Sequence, residues 1–334
     1  MTSALDRLPP AARERLRRNE HPEWTSPMLA VLTGERFSDP GWVFERKLDG
    51  ERCLAFRLGA GVRLLSRTRQ RLNDTYPELV GPLESQPSDD FIVDGEIVAF
   101  ERGRTSFERL QRRIQQHDPG QALERGVAVY YYLFDLLRLD GFDTTGLPLR
   151  DRKRLLRDAF AFGGRLRLLP HRNRDGEALY QDACRRGWEG LIAKRVDAVY
   201  QHGRSEDWLK FKCVLEQEFV IGGWTDPTGT RVGLGALLIG YYDHGRLRYA
   251  GKVGTGYTQA VLRDLRARLD RLARDEPPFE RDGLPHSRVH WVRPELVAQI
   301  GYSELTRDGK LRHPRYLGLR TDKRPREVTL EIPR

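Results

Sequence analysis

Residues 44–56 read FERKLDGERCLAF. Asp49-Gly50 lies between two runs in which apolar and charged residues alternate, the sequence form of two strands joined by a tight hairpin. If the dipeptide is only a turn, Lys47 is one more solvated charge beside it. If Lys47, Asp49, Gly50 and Arg52 form a K-x-D-G-x-R constellation, the lysine is a nucleophile with its neighbours placed for chemistry. Six residues do not choose between these readings. The rest of the chain does.

A chain of 334 residues exceeds one average domain and predicts two. Hydrophobic residues make up 39 % and charged residues 32 %, the latter spread along the chain, which is the composition of a globular protein with real cores. No stretch approaches the roughly 18 uninterrupted apolar residues of a membrane helix. The N-terminal MTSALDRLPPAARERLRRNE lacks the apolar centre of a secretory signal, so a cytoplasmic protein without membrane contact is expected. Cys53, Cys184 and Cys213 are odd in number and far apart. They are expected to be free, small, buried residues in a reducing compartment. The net charge of +10 favours a polyanionic partner, although the 48 acidic residues temper that reading.

Strands are predicted near 42–47, 51–58, 62–66, 91–100, 127–141 and 190–195, and a short basic helix over 11–18. Further helices are predicted over 106–116, 150–160 and 175–187. This mixture lacks regular βαβ alternation and predicts an α+β fold with antiparallel sheets and flanking helices. After residue 216 the texture changes to short strands with Gly-rich turns and one helix near 257–273. Five or so strands in so short a segment suggest a small Greek-key barrel such as an OB-fold. The expected domains are 1–216 and 217–334.

No Walker A loop is present, and GKVGTGYT (251–258) lacks the lysine that one requires. A nucleotide would have to be held by charges that interrupt apolar strands. These are Lys47 and Arg52, Glu96 in IVDGEIVAF, Glu189 and Lys194 in WEGLIAKR, and Lys210 and Lys212 in WLKFK. Any one of them alone reads as a strand's wet face. Lys210 and Lys212, however, share strand parity and point the same way. Three lysines converging with Lys47 would suit a polyphosphate, and two glutamates a divalent metal bridging its oxygens.

That constellation, in that order, resembles the ATP-dependent DNA ligases of the covalent nucleotidyltransferase superfamily. KLDGER (47–52) is similar to the nucleophile motif, SRTRQRLN (66–73) to the segment after it, and DGEIVAF (94–100) to the third motif. YLFDLLRLDG (132–141), EGLIAKR (189–195) and WLKFK (208–212) follow in family order. RHPRYLGLRTDKRPREV (312–328) is most similar to the ligases of bacterial non-homologous end joining. The resemblance runs from residue 45 to the C-terminus and implies an adenylation domain followed by an OB-fold barrel.

It also implies roles. Lys47 attacks the α-phosphate of ATP as a neutral amine. Lys194, Lys210 and Lys212 crowd it, disfavour its charged form and hold the phosphates. Glu45 meets the adenine edge through its backbone, Arg52 and Glu96 the ribose side, and Phe134 stacks on the base. Asp49 belongs to the same nucleotide site, and Arg67 contacts ribose or the acceptor's 5′-phosphate. Glu189 and Glu96 ligate Mg²⁺ or Mn²⁺. Arg320, Asp322 and Lys323 orient the leaving pyrophosphate when the barrel closes. The expected partners are nicked or broken duplex DNA and a DNA-end-binding protein, with a monomer associated with the nucleoid. About 40 residues precede the first motif, so grip on DNA is expected from the two core domains and the 11–18 helix. The nearest rival is an RNA ligase or GTP-using capping enzyme of the same superfamily. A non-catalytic OB-fold nucleic-acid-binding protein is a rival of a different class, and the retained lysines speak against it.

Overall fold

The computed structural model describes residues 4–114, 126–213, 215–227, 233–280, 283–285, 288–302, 304–306 and 309–331. Asp49-Gly50 does not turn a hairpin. Trp42–Lys47 pairs with Gly190–Arg195 and His171–Asn173, whereas Glu51–Leu58 pairs with Gly61–Ser66 and Asp90–Glu101. The two strands lie in different sheets, and the dipeptide crosses between them. Glycine is required there for close approach. A Cβ on Gly50 would stand 2.2 Å from the Ile97 carbonyl oxygen and 2.8 Å from a Val98 methyl carbon, so only a residue without a side chain can lie flat on that strand.

The chain divides into residues 1–213 and 214–332. In the first unit, an eight-stranded sheet has as its main path Arg17–Arg18, Phe142–Asp143, Val129–Leu139, Asp90–Glu101, Glu51–Leu58 and Gly61–Ser66. A five-stranded sheet runs His171–Asn173, Trp42–Lys47, Gly190–Arg195, Arg204–Lys212 and Leu29–Leu32. Pairing within both is antiparallel apart from Leu166–Leu168 beside Val129–Leu139 and Leu29–Leu32 beside Arg204–Lys212. With its helices outside the sheets, the unit is α+β.

Alternation along the strands sets the layers. Cys53, Ala55, Val93, Ile97, Tyr131 and Leu133 pack in one core with Phe107 and Leu110 of helix Phe107–Ile114 and Leu155 of helix Leu149–Ala159. The intervening Leu54, Phe56, Ile92, Val98 and Phe134 share a second core with Met28, Tyr200 and Trp208, so this face meets the five-stranded sheet. The far side of that smaller sheet, with Phe44, Leu191, Ala193 and Phe211, is covered by Leu179 and Ala183 of helix Gly176–Arg185. Its charged face is therefore the one turned toward the larger sheet.

The second unit has a six-stranded antiparallel sheet with central strands Leu215–Thr225 and Val289–Tyr302, a two-stranded sheet, and helix Gln259–Asp270. The Gly222-Gly223 pair sits inside the Leu215–Thr225 strand at a bulge. Phe279 occupies the space that a Gly222 side chain would need.

Other expectations are corrected. The basic helix over 11–18 is one turn, Pro10–Arg13, followed by a strand Arg17–Arg18 that pairs with Phe142–Asp143. The Arg18 guanidinium lies 4.4 Å from the centre of the Phe142 ring, so the basic run is partly tied down. Residues 115 and 116 of the predicted 106–116 helix lie outside the described residues. Only Cys53 is a free buried cysteine. Cys184, near the end of helix Gly176–Arg185, is bonded to Cys213, just past the Arg204–Lys212 strand, because the helix packs on that strand's exit. No helix among the described residues is long and apolar enough to cross a membrane.

Gly50→Ala is expected to lower the urea midpoint, through an overpacking cost of about 1–3 kcal/mol in stability. Gly81→Ala, where a Cβ meets open space, leaves the midpoint unchanged or raises it. Equal midpoints for the two variants would contradict the close-approach account.

Candidate active site

The register of three strands builds the site. Lys47 lies opposite Gly190, which lies opposite Lys212. In the next row on the same face stand Glu45, Ile192 and Lys210, and in the third Val43, Lys194 and Trp208. Directly opposed residues share a face of a sheet. One surface therefore carries Lys47, Glu45, Lys194, Lys210 and Lys212, as strand parity predicted for the last two. In the first row no side chain stands between Lys47 and Lys212. A Cβ at Gly190 would lie 1.8 Å from the Phe211 carbonyl oxygen, at a φ of +150°.

Lys47 is not simply crowded by cations. Its Nζ forms an ion pair with Glu189, the residue before the Gly190–Arg195 strand. The Glu189 carbonyl accepts a 2.9 Å hydrogen bond from Cys213 N–H, which holds this carboxylate at the end of the hairpin bearing Lys210 and Lys212. A carboxylate in contact favours the ammonium. To the cations expected around this lysine the structure adds a carboxylate in contact.

Lys194 also departs from expectation. Its row is four residues along the strand from that of Lys47, and the residue is 1 % exposed. It lies 2.8 Å from Glu45 Oε2, 4.1 Å from the Phe134 ring centre and 3.8 Å from that of Trp208. Burial pushes it down to about 8, against the opposing pull of Glu45. The other Glu45 oxygen is taken by Lys153, from helix Leu149–Ala159. Burial would raise the Glu45 carboxyl, but Lys153 and Lys194 together hold it below the usual range. The Glu45 side chain is thus a fixed counter-ion.

Arg52 and Glu96 lie opposite each other in the larger sheet. The Arg52 guanidinium is 4.6 Å from the Phe134 ring centre and grips Asp94 in two bonds of 2.5 and 2.6 Å. Tyr200 donates to the same carboxylate at 2.6 Å. Although burial would weaken the charged form of Arg52, Asp94 more than offsets it and raises the group above the arginine range. Asp49 turns away from this cluster. Its carboxylate accepts from Phe107 N–H at 3.1 Å and so caps helix Phe107–Ile114. Arg67 is half-buried in the turn after Gly61–Ser66, where Ser66 Oγ accepts from the backbone N–H groups of Thr68 and Gln70. In the second unit Arg320 forms two bonds of 2.8 and 2.7 Å to the buried Asp322, and Lys323 lies 3.0 Å from Glu218.

Sequence reasoning missed Asp94, Lys153, Tyr200 and Trp208. Asp94 stands inside DGEIVAF, where it reads as turn chemistry. Lys153 sits in LRDRKRLLRDA, whose run of charges reads as a wet helix face, although Arg152 and Lys153 are both buried.

Known proteins are similar along nearly the whole chain. The family profile described as ATP dependent DNA ligase domain matches residues 27–212, and that described as ATP dependent DNA ligase C terminal region matches residues 230–323. The multifunctional non-homologous end joining protein LigD of Pseudomonas aeruginosa is 39 % identical over 323 residues, which is 93 % of this chain and 37 % of that protein. The protein of the same name from Mycolicibacterium smegmatis is 36 % identical over 328 residues, 96 % of this chain and 42 % of its own. The chain thus spans about two fifths of these relatives. A solved structure of mycobacterial DNA ligase D complexed with ATP and MES aligns with a TM-score of 0.64 and 35 % identity, covering 92 % of this chain and 98 % of that one.

A group at about 8 when folded and near 10.4 when unfolded binds more protons in the unfolded chain between those values. Stability owed to Lys194 therefore rises with pH across that window and is lost below it. Urea unfolding at pH 7.5 and 9.5 should show wild type gaining more stability than Lys194→Met. An equal gain would refute the buried-ammonium assignment.

Proposed function

Since the chain belongs to the ATP-dependent DNA ligase family, we propose that it seals nicks or broken ends in duplex DNA through a lysyl-AMP intermediate on Lys47, in double-strand break repair. The observation that carries this is the first row of the site: a lysine aligned through a side-chain-free glycine with a second lysine, and closed by a carboxylate.

In the first step Lys47 Nζ attacks the α-phosphorus of ATP. A P–N bond forms, the bond to the bridging oxygen breaks, and pyrophosphate leaves. In the second, an oxygen of the nick's 5′-phosphate attacks that phosphorus and the amine departs. In the third, the 3′-hydroxyl attacks the activated 5′-phosphorus, and AMP is released. Lys47 has to be neutral to attack, so its pair with Glu189 must open first. Lys210 and Lys212, on the same face, then oppose its charged form and meet the phosphate oxygens as negative charge develops there. Phe134 offers a face to the base, and Glu45 presents its backbone because its carboxylate is occupied. Arg52, fixed by Asp94, and Glu96 serve the ribose. Asp49 acts from a distance, by anchoring the crossing next to Lys47.

Among the described residues no three His, Cys, Asp or Glu side chains form a cage. The hard oxygens of Glu189 and Glu96 do fit Mg²⁺ or Mn²⁺, which takes one or two carboxylates and completes its shell from phosphate and water. Bound there, such an ion supplies charge neutralisation on the triphosphate. We assign the second unit to an OB-fold barrel and Arg320, Asp322 and Lys323 to the leaving pyrophosphate. Arg320 and Lys323 must then exchange their partners Asp322 and Glu218. The end-joining relatives support broken DNA ends as substrate; a DNA-end-binding protein as partner and a monomeric state belong to the same proposal.

Mass spectrometry after incubation with ATP and magnesium should find one AMP on wild type, mapped to Lys47, and none on Lys47→Ala. An adduct on another residue, or none on wild type, would overturn the proposal. Nick binding should weaken at least about tenfold between 50 and 200 mM salt, since phosphate contacts release counterions. A flat isotherm would refute a grip by surface charge.

A further inference from the structure

Among the described residues, Lys153 is the cation that a helix brings to the site. Helix Leu149–Ala159 delivers two consecutive charges inward. Arg152 forms two bonds, of 2.7 and 3.0 Å, to Asp135, with both side chains fully buried. Lys153, 7 % exposed, turns to the other side. Its ammonium donates to the Phe134 carbonyl oxygen at 3.3 Å, in the larger sheet, and pairs with Glu45 Oε1, in the smaller. A single ammonium thus spans the two sheets at the residues assigned to the base: the backbone that carries the stacking ring, and the side chain whose backbone meets the adenine edge.

Stability alone does not account for this arrangement. Three buried charges, Lys153, Glu45 and Lys194, give up three hydration shells, and well-packed apolar side chains would match or exceed their net contribution. What an ion-paired triad does supply is fixed geometry. Glu45 has both oxygens held, and Lys194 is drawn against Phe134 and Trp208. The Trp208 ring nitrogen is buried without a hydrogen-bond partner, a donor that a finished apolar core would not leave open. This is a wall shaped to receive a polar planar ligand.

Resting on the ligase reading above, we propose that Lys153 is a positioning residue for the nucleotide base: by bridging Glu45 and the Phe134 carbonyl it sets the spacing of the base-binding wall while taking no part in phosphate binding. Its effect belongs to capture of ATP, and it acts through Glu45. The phosphate side, in the rows of Lys212 and Lys210, is independent of it.

The test measures self-adenylation of the full chain against ATP concentration, and the reverse reaction of the purified AMP-enzyme against pyrophosphate. Lys153→Met should raise the half-saturating ATP concentration at least fivefold. The rate at saturating ATP and the half-saturating pyrophosphate should stay within twofold. Lys153→Arg should recover most of the loss. In a Glu45→Gln background, Lys153→Met should add less than a further twofold, because its route is already cut. Arg154→Met, on the outer side of the same helix, should change nothing. An unmoved ATP dependence overturns the inference. So does a joint shift of ATP and pyrophosphate, the mark of general loosening, or an additive double variant. Should Lys153→Met fail to melt cooperatively, Lys153→Gln carries the same readings. A wild-type chain that forms no adduct overturns the function itself; an adduct with unmoved ATP dependence overturns only the role of Lys153.

Discussion

The pairing of Gly190 with Lys47 on one side and Lys212 on the other sets the phase of three strands at once. Side chains alternate with a period of two, so a slip of one residue in either pairing would turn a whole row of cations into the core of Phe44, Leu191 and Phe211. The apolar set on the far face therefore enforces the polar set on the near face. Gly190 adds a steric condition, since any side chain there would meet the backbone of the neighbouring strand. The position of Lys47 thus follows from packing under helix Gly176–Arg185.

Around this register the molecule places charges where water is excluded, and each has a specific answer. Arg52 is gripped by Asp94, Arg152 by Asp135, Lys194 and Lys153 by Glu45, and Lys47 by Glu189. Removing one member of a fully buried pair costs about 3–5 kcal/mol, mostly for the charge left behind. The pairs differ in kind. Arg152–Asp135 is sealed, whereas the Lys47 side chain is 21 % exposed. The proposed chemistry requires the Lys47 pair, and not the sealed one, to open.

Much of this was legible in the chain, for physical reasons that vary with position. The strands at 42–47, 51–58 and 190–195 alternate cleanly and were placed with little error. Lys210 and Lys212 were placed on one face by parity alone. Partners were less legible, because an ion pair between residues far apart in sequence leaves no local pattern. Thus the pairing of Glu189 with Lys47, and the burial of Lys194 against Trp208, left no trace in the sequence. The hairpin form of Asp49-Gly50 misled for a related reason. Glycine serves both a turn and a close approach, and only the strand lying against it tells which. Arg152 and Lys153 were hidden by composition, since a run of charges reads as solvated until the acids that receive it are known.

The sulfur bridge between Cys184 and Cys213 has a topological result. The chain between them, 29 residues apart in sequence, contains Glu189, Lys194, Lys210 and Lys212. Three side chains assigned to the nucleotide and its metal, and the buried Lys194, therefore sit on one covalent ring, which persists when the surrounding sheets melt. A ring of that size removes about 3–4 kcal/mol of conformational freedom from the unfolded ensemble. With the bridge closed, this segment is kept near its own ends in the unfolded chain, so that Gly190 and Lys212 search a far smaller space for one another.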